Sequence, residues 1–201
     1  MYYPEIARKI IDLKNADLAF RDKLIEQGKL GDGYNDEMAA IHNSNADALE
    51  EIIDQVGYPT VDKVGEEASD AAWLVVQHSI GRPAFMRKCA VLLHDAVDEN
   101  KANTLHLAYL EDRIAVLEGR KQLYKTQFDW NQSGELSAQP FDDLYKVNQR
   151  RKSLGLNSLE EQTHIMRSRA AKENQSPPEN LEQRKQEMDT WMEKVGWIIV
   201  S

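Results

Sequence analysis

The run Ala71-Ala-Trp-Leu-Val-Val76 is the longest apolar stretch of the chain and decides the expected fold. It lies inside a helical segment, residues 65–80, whose apolar side chains would surround the helix axis in its middle turns. A helix that is apolar all round is buried on all sides. The sequence therefore predicts that this segment is the central helix of a bundle.

Helical periodicity continues on both sides of the central segment. Pro4 suits the first turn of a helix, and a second helix that begins near Asp36 is expected to end at Gly57 and Pro59. Further helices are predicted over residues 83–97, 103–118, 142–153 and 181–195, and one more is predicted to start at the capping box Ser158-x-x-Glu161.

One segment has a different character. Residues 122–130 contain β-favouring side chains in partial alternation, and residues 131–134 are typical of a turn. A short extended segment or hairpin is therefore expected near residues 121–140. The expected fold class is mainly α, a compact multi-helix bundle around a buried central helix.

Composition limits the classes of partner. The chain has 201 residues with 25 Lys+Arg and 34 Asp+Glu, a formal charge of −9, and such a surface repels nucleic acid and anionic lipid. No apolar run approaches the roughly 20 residues of a membrane span, and no secretory signal is visible. A cytoplasmic protein is expected, and its single cysteine, Cys89, is predicted to be an inert core thiol.

Two regions are predicted along the chain. Residues 1–165 would form a helical domain, and residues 166–201 a C-terminal extension with a linker at 174–180 and an amphipathic helix. That helix either docks back on the body or pairs with a second copy to form a homodimer, and the sequence leaves both open.

The candidate site rests on polar residues inside the most apolar helices. Gln77 and His78 close the central helix, and Asp112 and Arg113 interrupt a second apolar helix. Burying an unpaired ion costs several kcal/mol. Each of these groups must therefore be paired, open to a cleft, or both.

Bundle geometry would let these groups converge. If an antiparallel helix separates the two apolar helices, they run parallel, and His78 and Asp112 lie near the same end, about 6 Å apart along the axis. The segment that follows could fold back across this end, and the second helix could contribute a side chain from its apolar stripe. The predicted catalytic residues are His78 and Asp112; the predicted substrate-binding residues are Gln77, Arg113, Gln122, Tyr124, Thr126, Gln127 and Asn45.

Other candidates are weaker. The remaining histidines show no paired metal spacing and are interpreted as surface or interhelical residues: His42, His94, His106 and His164. A metal held by His78, Asp112 and further ligands stays an open alternative, but the ligand count is too low to predict a metal site, and no cofactor is identified. Arg150-Arg151-Lys152 is interpreted as a solvated helix face.

Three motifs resemble a bacterial family of uncharacterised domains. They are the Gln-His pair that ends Trp73-Leu-Val-Val-Gln-His78, the Asp-Arg-Ile of residues 112–114, and Gly119-Arg-Lys-Gln-Leu-Tyr-Lys-Thr-Gln127. The resemblance extends from about Asp22 to about Leu159. It implies that the predicted site residues other than Asn45 fall on hallmark positions of the family, and it implies no activity. Lys125 stands where the family usually has Gly, so the backbone there need not adopt a conformation that only Gly adopts.

Three functions are compatible with these residues. The first is an enzyme, a hydrolase or group-transfer catalyst on a small polar or peptide-like substrate, with His78 as general acid or base, Asp112 orienting it and water as the attacker. The second is a non-catalytic module that binds a small-molecule or peptide ligand or a partner protein. The third is a buried structural network. The sequence does not decide whether the protein is an enzyme.

Overall fold

The computed structural model describes residues 1–29, 34–138 and 143–198. Within them the chain forms two compact units, unit 1 (residues 1–29 and 34–110) and unit 2 (residues 111–138 and 143–198). The fold is mainly α, as predicted. The predicted division into residues 1–165 and 166–201 stays a prediction. Among the described residues, no helix is both long enough and apolar enough to cross a membrane.

Unit 1 is a helical assembly organised around one helix. Its helices are α1 (Pro4–Glu26), α2 (Asp36–Val56), α3 (Val61–Val64), α4 (Glu66–His78), α5 (Pro83–Asp98) and the first half of α6 (Thr104–Leu117). Helix α4 packs against α1, α2, α3 and α5, which confirms a central helix. Its first turns nevertheless keep an exposed side at Glu67 and Asp70, and Trp73 and Leu74 in its later turns are half-buried. The helix is therefore not buried on all sides.

Local signals explain where these helices begin and end. The Asn35 side chain accepts a hydrogen bond from the Met38 amide and caps α2. Gly57 ends α2 with φ 75°, a value that favours glycine. Residues 61–64, which the sequence analysis did not assign, form the single turn α3 before α4 begins at Glu66.

Unit 1 contains a buried cysteine and a half-buried pair of stacked rings. Cys89 is fully buried on α5, and burial raises the pKa of its thiol far above its ordinary value. This confirms a buried thiol. Trp73 stacks on His106 with ring centroids 4.2 Å apart, and the Trp73 indole Nε1 donates to the His106 carbonyl at 3.0 Å. Burial lowers the pKa of His106, against the opposing charge of Asp70.

Unit 2 begins within α6 and continues with a small hairpin and three helices. The strands β1 (Asp129–Trp130) and β2 (Leu136–Ser137) pair antiparallel, which confirms the expected hairpin. The helices are α7 (Leu144–Ser153), α8 (Leu159–Lys172) and α9 (Leu181–Val195). The predicted capping box of Ser158 and Glu161 is present at the start of α8. The predicted helix start at Asp142 lies outside the described residues.

Candidate functional site

A buried carboxylate lies between two imidazole rings in unit 1. Asp17 Oδ1 is 3.2 Å from His42 Nε2, and Asp17 Oδ2 is 2.6 Å from His78 Nδ1. Asp17 is 1% exposed and His42 is 8% exposed, whereas 23% of the His78 side chain is exposed. We call these three residues the Asp–His–His trio. His78 is the member of the trio that solvent reaches most easily.

The trio comes from the core-facing sides of three helices. Asp17 lies seven residues after Ile10 and seven before Leu24, both buried, so it occupies the apolar stripe of α1. His42 occupies the same kind of position on α2, among its buried residues. His78 is the last residue of α4. The packing of α1 and α2 on α4 therefore brings the three polar groups together.

A tyrosine extends the network beyond His42. The Tyr34 hydroxyl is 2.8 Å from His42 Nδ1, and the two rings stack with centroids 5.8 Å apart. An ionised carboxylate only accepts hydrogen bonds, so His42 Nε2 and His78 Nδ1 both donate to Asp17. When His42 is neutral, its Nδ1 accepts from the Tyr34 hydroxyl. The carboxylate thus fixes the tautomer of both imidazoles.

Electrostatics keep Asp17 ionised. Burial by itself raises the pKa of this carboxyl, but hydrogen bonds from His42 and His78, together with their charges, hold it well below its ordinary range. His78 also lies at the C-terminal end of α4, where the helix dipole favours a positive charge. The site therefore holds one fixed negative charge beside two imidazole rings that donate hydrogen bonds to it.

Two other predicted site residues lie in unit 1. Asn45 is buried on α2, and its Nδ2 donates to the Leu13 carbonyl on α1 at 3.0 Å. This bond joins the two helices one turn from Asp17. Gln77 is buried beside His78 in the sequence, and its Nε2 has no hydrogen-bond partner among the described residues.

A second polar cluster lies in unit 2 around Asp112. Its carboxylate accepts hydrogen bonds from the backbone amides of Leu123 at 2.7 Å, Tyr124 at 3.1 and 3.2 Å, and Thr126 at 2.9 Å. Asp112 is 1% exposed. Buried charge is tolerated here because several amide donors converge on it. The bonds fix the path of the chain after α6.

Gln122 and Gln127 form hydrogen bonds within the loop of residues 122–127. Gln122 Oε1 accepts from the Gln127 amide at 2.9 Å, and Gln122 Nε2 donates to the Gln127 carbonyl at 3.1 Å. Gln127 Nε2 in turn donates to Thr126 Oγ1 at 2.9 Å. The side chains of Gln122 and Gln127 thus close a ring of hydrogen bonds over residues 122–127.

Arg151 corrects the interpretation of residues 150–152 as a solvated face. It is fully buried, and its guanidinium donates to the carbonyls of Tyr124 at 2.8 Å and Asn157 at 2.7 Å and to Asn157 Oδ1 at 3.0 Å. A guanidinium carries five donors in a rigid fork, so one side chain can join two loops. Arg150 and Lys152 sit beside it on α7, and Lys152 is exposed.

Lys125 lies at a sharp turn of the loop around Asp112. Its φ is 55°, in the left-handed region that favours glycine. The amides on either side, those of Tyr124 and Thr126, both donate to Asp112. Because one carboxylate binds amides on both sides of residue 125, the chain must turn sharply there whatever side chain it carries.

The model of a family of unknown function, DUF6624, matches residues 4–172 of this chain. The chain belongs to DUF6624. The match covers the Asp–His–His trio and the loop around Asp112, and it ends before α9 begins at Leu181. No curated protein and no solved structure matches the chain.

In the DUF6624 chain, the predicted site residues are divided between unit 1 and unit 2. Asp112, Gln122, Tyr124, Thr126 and Gln127 meet in one loop of unit 2 through the bonds described above. Arg113 is half-buried next to Asp112 on α6. His78, Gln77 and Asn45 belong to unit 1. The pairing of His78 with Asp112 joins residues of different units and stays a prediction; the carboxylate bonded to His78 Nδ1 is that of Asp17.

Asp17 and Tyr34 are not among the residues predicted from the sequence, and His42 was given no functional role. A signal for the first was present, since Asp17 continues the apolar spacing of Ile10 and Leu24. His42 likewise continues the stripe that starts at Met38. A polar residue on the buried stripe of a helix is as informative as one inside an apolar run. Nothing comparable marks Tyr34, which precedes α2.

Proposed function

We propose that this DUF6624 protein is an enzyme whose catalytic group is His78, acting as general acid or base in hydrolysis or group transfer. The observation that carries the proposal is the 2.6 Å bond between His78 Nδ1 and the buried Asp17 carboxylate. It is supported by the partial exposure of His78 beside two nearly inaccessible partners.

Asp17 would set the chemistry of His78. With Nδ1–H donating to the carboxylate, the lone pair of the neutral ring resides on Nε2, where the proton of an attacking water or a leaving group is exchanged. The imidazolium that forms is stabilised by the Asp17 charge and by the end of α4. In this proposal Asp17 takes the orienting role that the sequence analysis gave to Asp112.

His42 and Tyr34 would hold the carboxylate in place. His42 Nε2 donates to Asp17 Oδ1, so Asp17 Oδ2 stays directed at His78. Tyr34 in turn orients the His42 ring through Nδ1. Such a chain of hydrogen bonds preorganises the base without taking part in the reaction. A small polar or peptide-like substrate and a cytoplasmic location remain predictions from the sequence.

The test is turnover across a panel of esters, amides and phosphate esters, measured in the presence of a chelator. Replacement of a general acid or base costs about 10²- to 10⁴-fold in rate, so His78→Gln should lose at least 100-fold. The matched control is His94→Gln, because His94 is exposed on α5. A folded His78→Gln protein with the wild-type rate would refute the proposal.

A further outcome separates catalysis from binding. If a compound of the panel binds but is never converted, and binding depends on His78, the non-catalytic module replaces the enzyme. Thermal shift of the wild type and of His78→Gln against the same panel makes this distinction.

A further inference from the structure

We propose that Asp17, His42 and His78 are the protein ligands of one divalent transition-metal ion of the zinc class. One ligand atom from each residue, a carboxylate oxygen or a ring nitrogen, lies within 4.8 Å of the other two. Ligands at about 2.0–2.2 Å from Zn²⁺ stand roughly 3–4 Å from one another. Small side-chain rotations would therefore bring all three onto a common ion.

The donor set selects the class of metal. Two imidazoles and one carboxylate suit Zn²⁺ and Fe²⁺, whereas Ca²⁺ and Mg²⁺ prefer oxygen ligands throughout. Three protein ligands leave at least one position for water, which is the arrangement of catalytic rather than structural zinc sites. Asp17 and His42 are buried and His78 is partly exposed, so the open position would face the side of His78.

Tyr34 would allow His42 to change tautomer. Coordination through Nε2 requires that His42 carry its proton on Nδ1, which lies 2.8 Å from the Tyr34 oxygen. A hydroxyl both donates and accepts. The Tyr34 hydroxyl can therefore donate to Nδ1 of the metal-free ring and accept from Nδ1–H when the metal is bound. A metal-binding histidine that donates its second N–H to a fixed partner is the common arrangement in metal sites.

Metal binding and the proposed acid–base function compete for the same atoms. A metal on His78 Nδ1 replaces the N–H that donates to Asp17, so the metal-bound form cannot use the Asp17–His78 pair. The inference concerns occupancy of the trio and goes beyond the proposed function. Turnover is measured with a chelator present and metal binding without substrate, so either proposal can fail alone.

The experiment is titration of the full, chelator-treated chain with Co²⁺, read by visible absorption, and with Zn²⁺, read by calorimetry. One equivalent of each is expected to bind. Asp17→Asn, His42→Gln and His78→Gln should each lower the affinity at least 100-fold, and Tyr34→Phe about 10-fold. His164→Gln, on α8 of unit 2, is the control and should bind as the wild type does.

A measurement on the wild type keeps the test decisive if a trio variant fails to fold. Zn²⁺ should shift the side-chain NMR signals of two of the five histidines at a single equivalent. Absence of binding at millimolar metal, a shift of none or of other histidines, or affinity unchanged in the folded trio variants would overturn the proposal.

Discussion

Asp17→Asn should destabilise unit 1 by about 2–3 kcal/mol at pH 7. The Asp17 carboxylate accepts one bond from each imidazole and is 1% exposed. Hydrogen bonds to a charged group contribute roughly 1.5–3 kcal/mol and neutral ones about 0.5–1.5, so each bond loses about 1–1.5 kcal/mol. The amide still accepts from one ring, and the other ring can change tautomer and accept from the amide nitrogen. Asp17→Ala leaves the imidazoles without an acceptor and should cost more, about 3–5 kcal/mol.

The assay uses the buried thiol of unit 1. Cys89 is the only cysteine and is fully buried on α5, so a thiol reagent labels it only after the unit opens. Where reclosing is faster than labelling, the labelling rate reports the opening free energy. A loss of 2–3 kcal/mol should accelerate labelling by roughly 30- to 150-fold. A chelator in the buffer keeps bound metal from masking the effect.

The matched control is Asp12→Asn, on the same helix but exposed, for which no more than about 0.5 kcal/mol is expected. If Asp17→Asn labels at the wild-type rate while Asp17→Ala is also unaffected, the carboxylate contributes nothing to unit 1. The reasoning about the trio would then be wrong.

Four further outcomes follow from the described contacts. Asp112→Asn replaces one of the two oxygens that accept from the amides of Leu123, Tyr124 and Thr126 by an NH2 group that cannot accept. It should accelerate hydrogen exchange in residues 122–127 at least 10-fold; unchanged exchange would contradict this. Arg151→Lys replaces the planar guanidinium by an ammonium group that cannot reach both loops. It should lower the free energy of unfolding of unit 2 in urea by about 2–4 kcal/mol, whereas Lys152→Arg, at an exposed position, should leave it unchanged. Lys125→Gly should be more stable than Lys125→Ala by about 1 kcal/mol, because φ is 55° and both variants lack the long side chain; equal stabilities would rule out backbone strain. Burial lowers the pKa of His106, and the charge of Asp70 opposes this shift. Because the unfolded state then binds the proton more readily, the stability of unit 1 relative to that of His106→Gln should fall as the pH drops below about 6.5. The prediction is wrong if the difference in stability between the two proteins, measured by Cys89 labelling, rises or stays constant as the pH drops.

Most of the helical framework could be predicted because its signals are local. The run of residues 71–76 marked the central helix, Gly57 the end of α2, and Ser158 with Glu161 the start of α8. Each depends on side chains within one or two turns. The single turn α3 was missed because four residues are too few to show a period.

The candidate site was harder to predict from the sequence, because the packing of the helices decides which side chains meet. The sequence indicated that His78 needs a charged or polar partner, and the structure provides Asp17, 61 residues away in the chain. Which carboxylate meets the end of α4 depends on how α1 packs against it, and no spacing encodes that. Arg151 illustrates the same limit: three basic residues in a row look alike, and only the fold decides which one is buried.

The two buried carboxylates differ in the groups that bind them, and this difference is the reason for placing the proposed function in unit 1. Asp112 is held by backbone amides, which neither titrate near neutral pH nor leave without unfolding the loop. Asp17 is held by imidazoles, whose ring nitrogens can change hydrogen-bond partners without any change of backbone. A carboxylate bound by backbone amides can change its hydrogen-bond partners only if the loop unfolds, whereas one bound by histidines can change partners while the backbone stays in place. Chemistry at neutral pH requires such exchange, so the search for substrate and metal should begin at Asp17, His42 and His78.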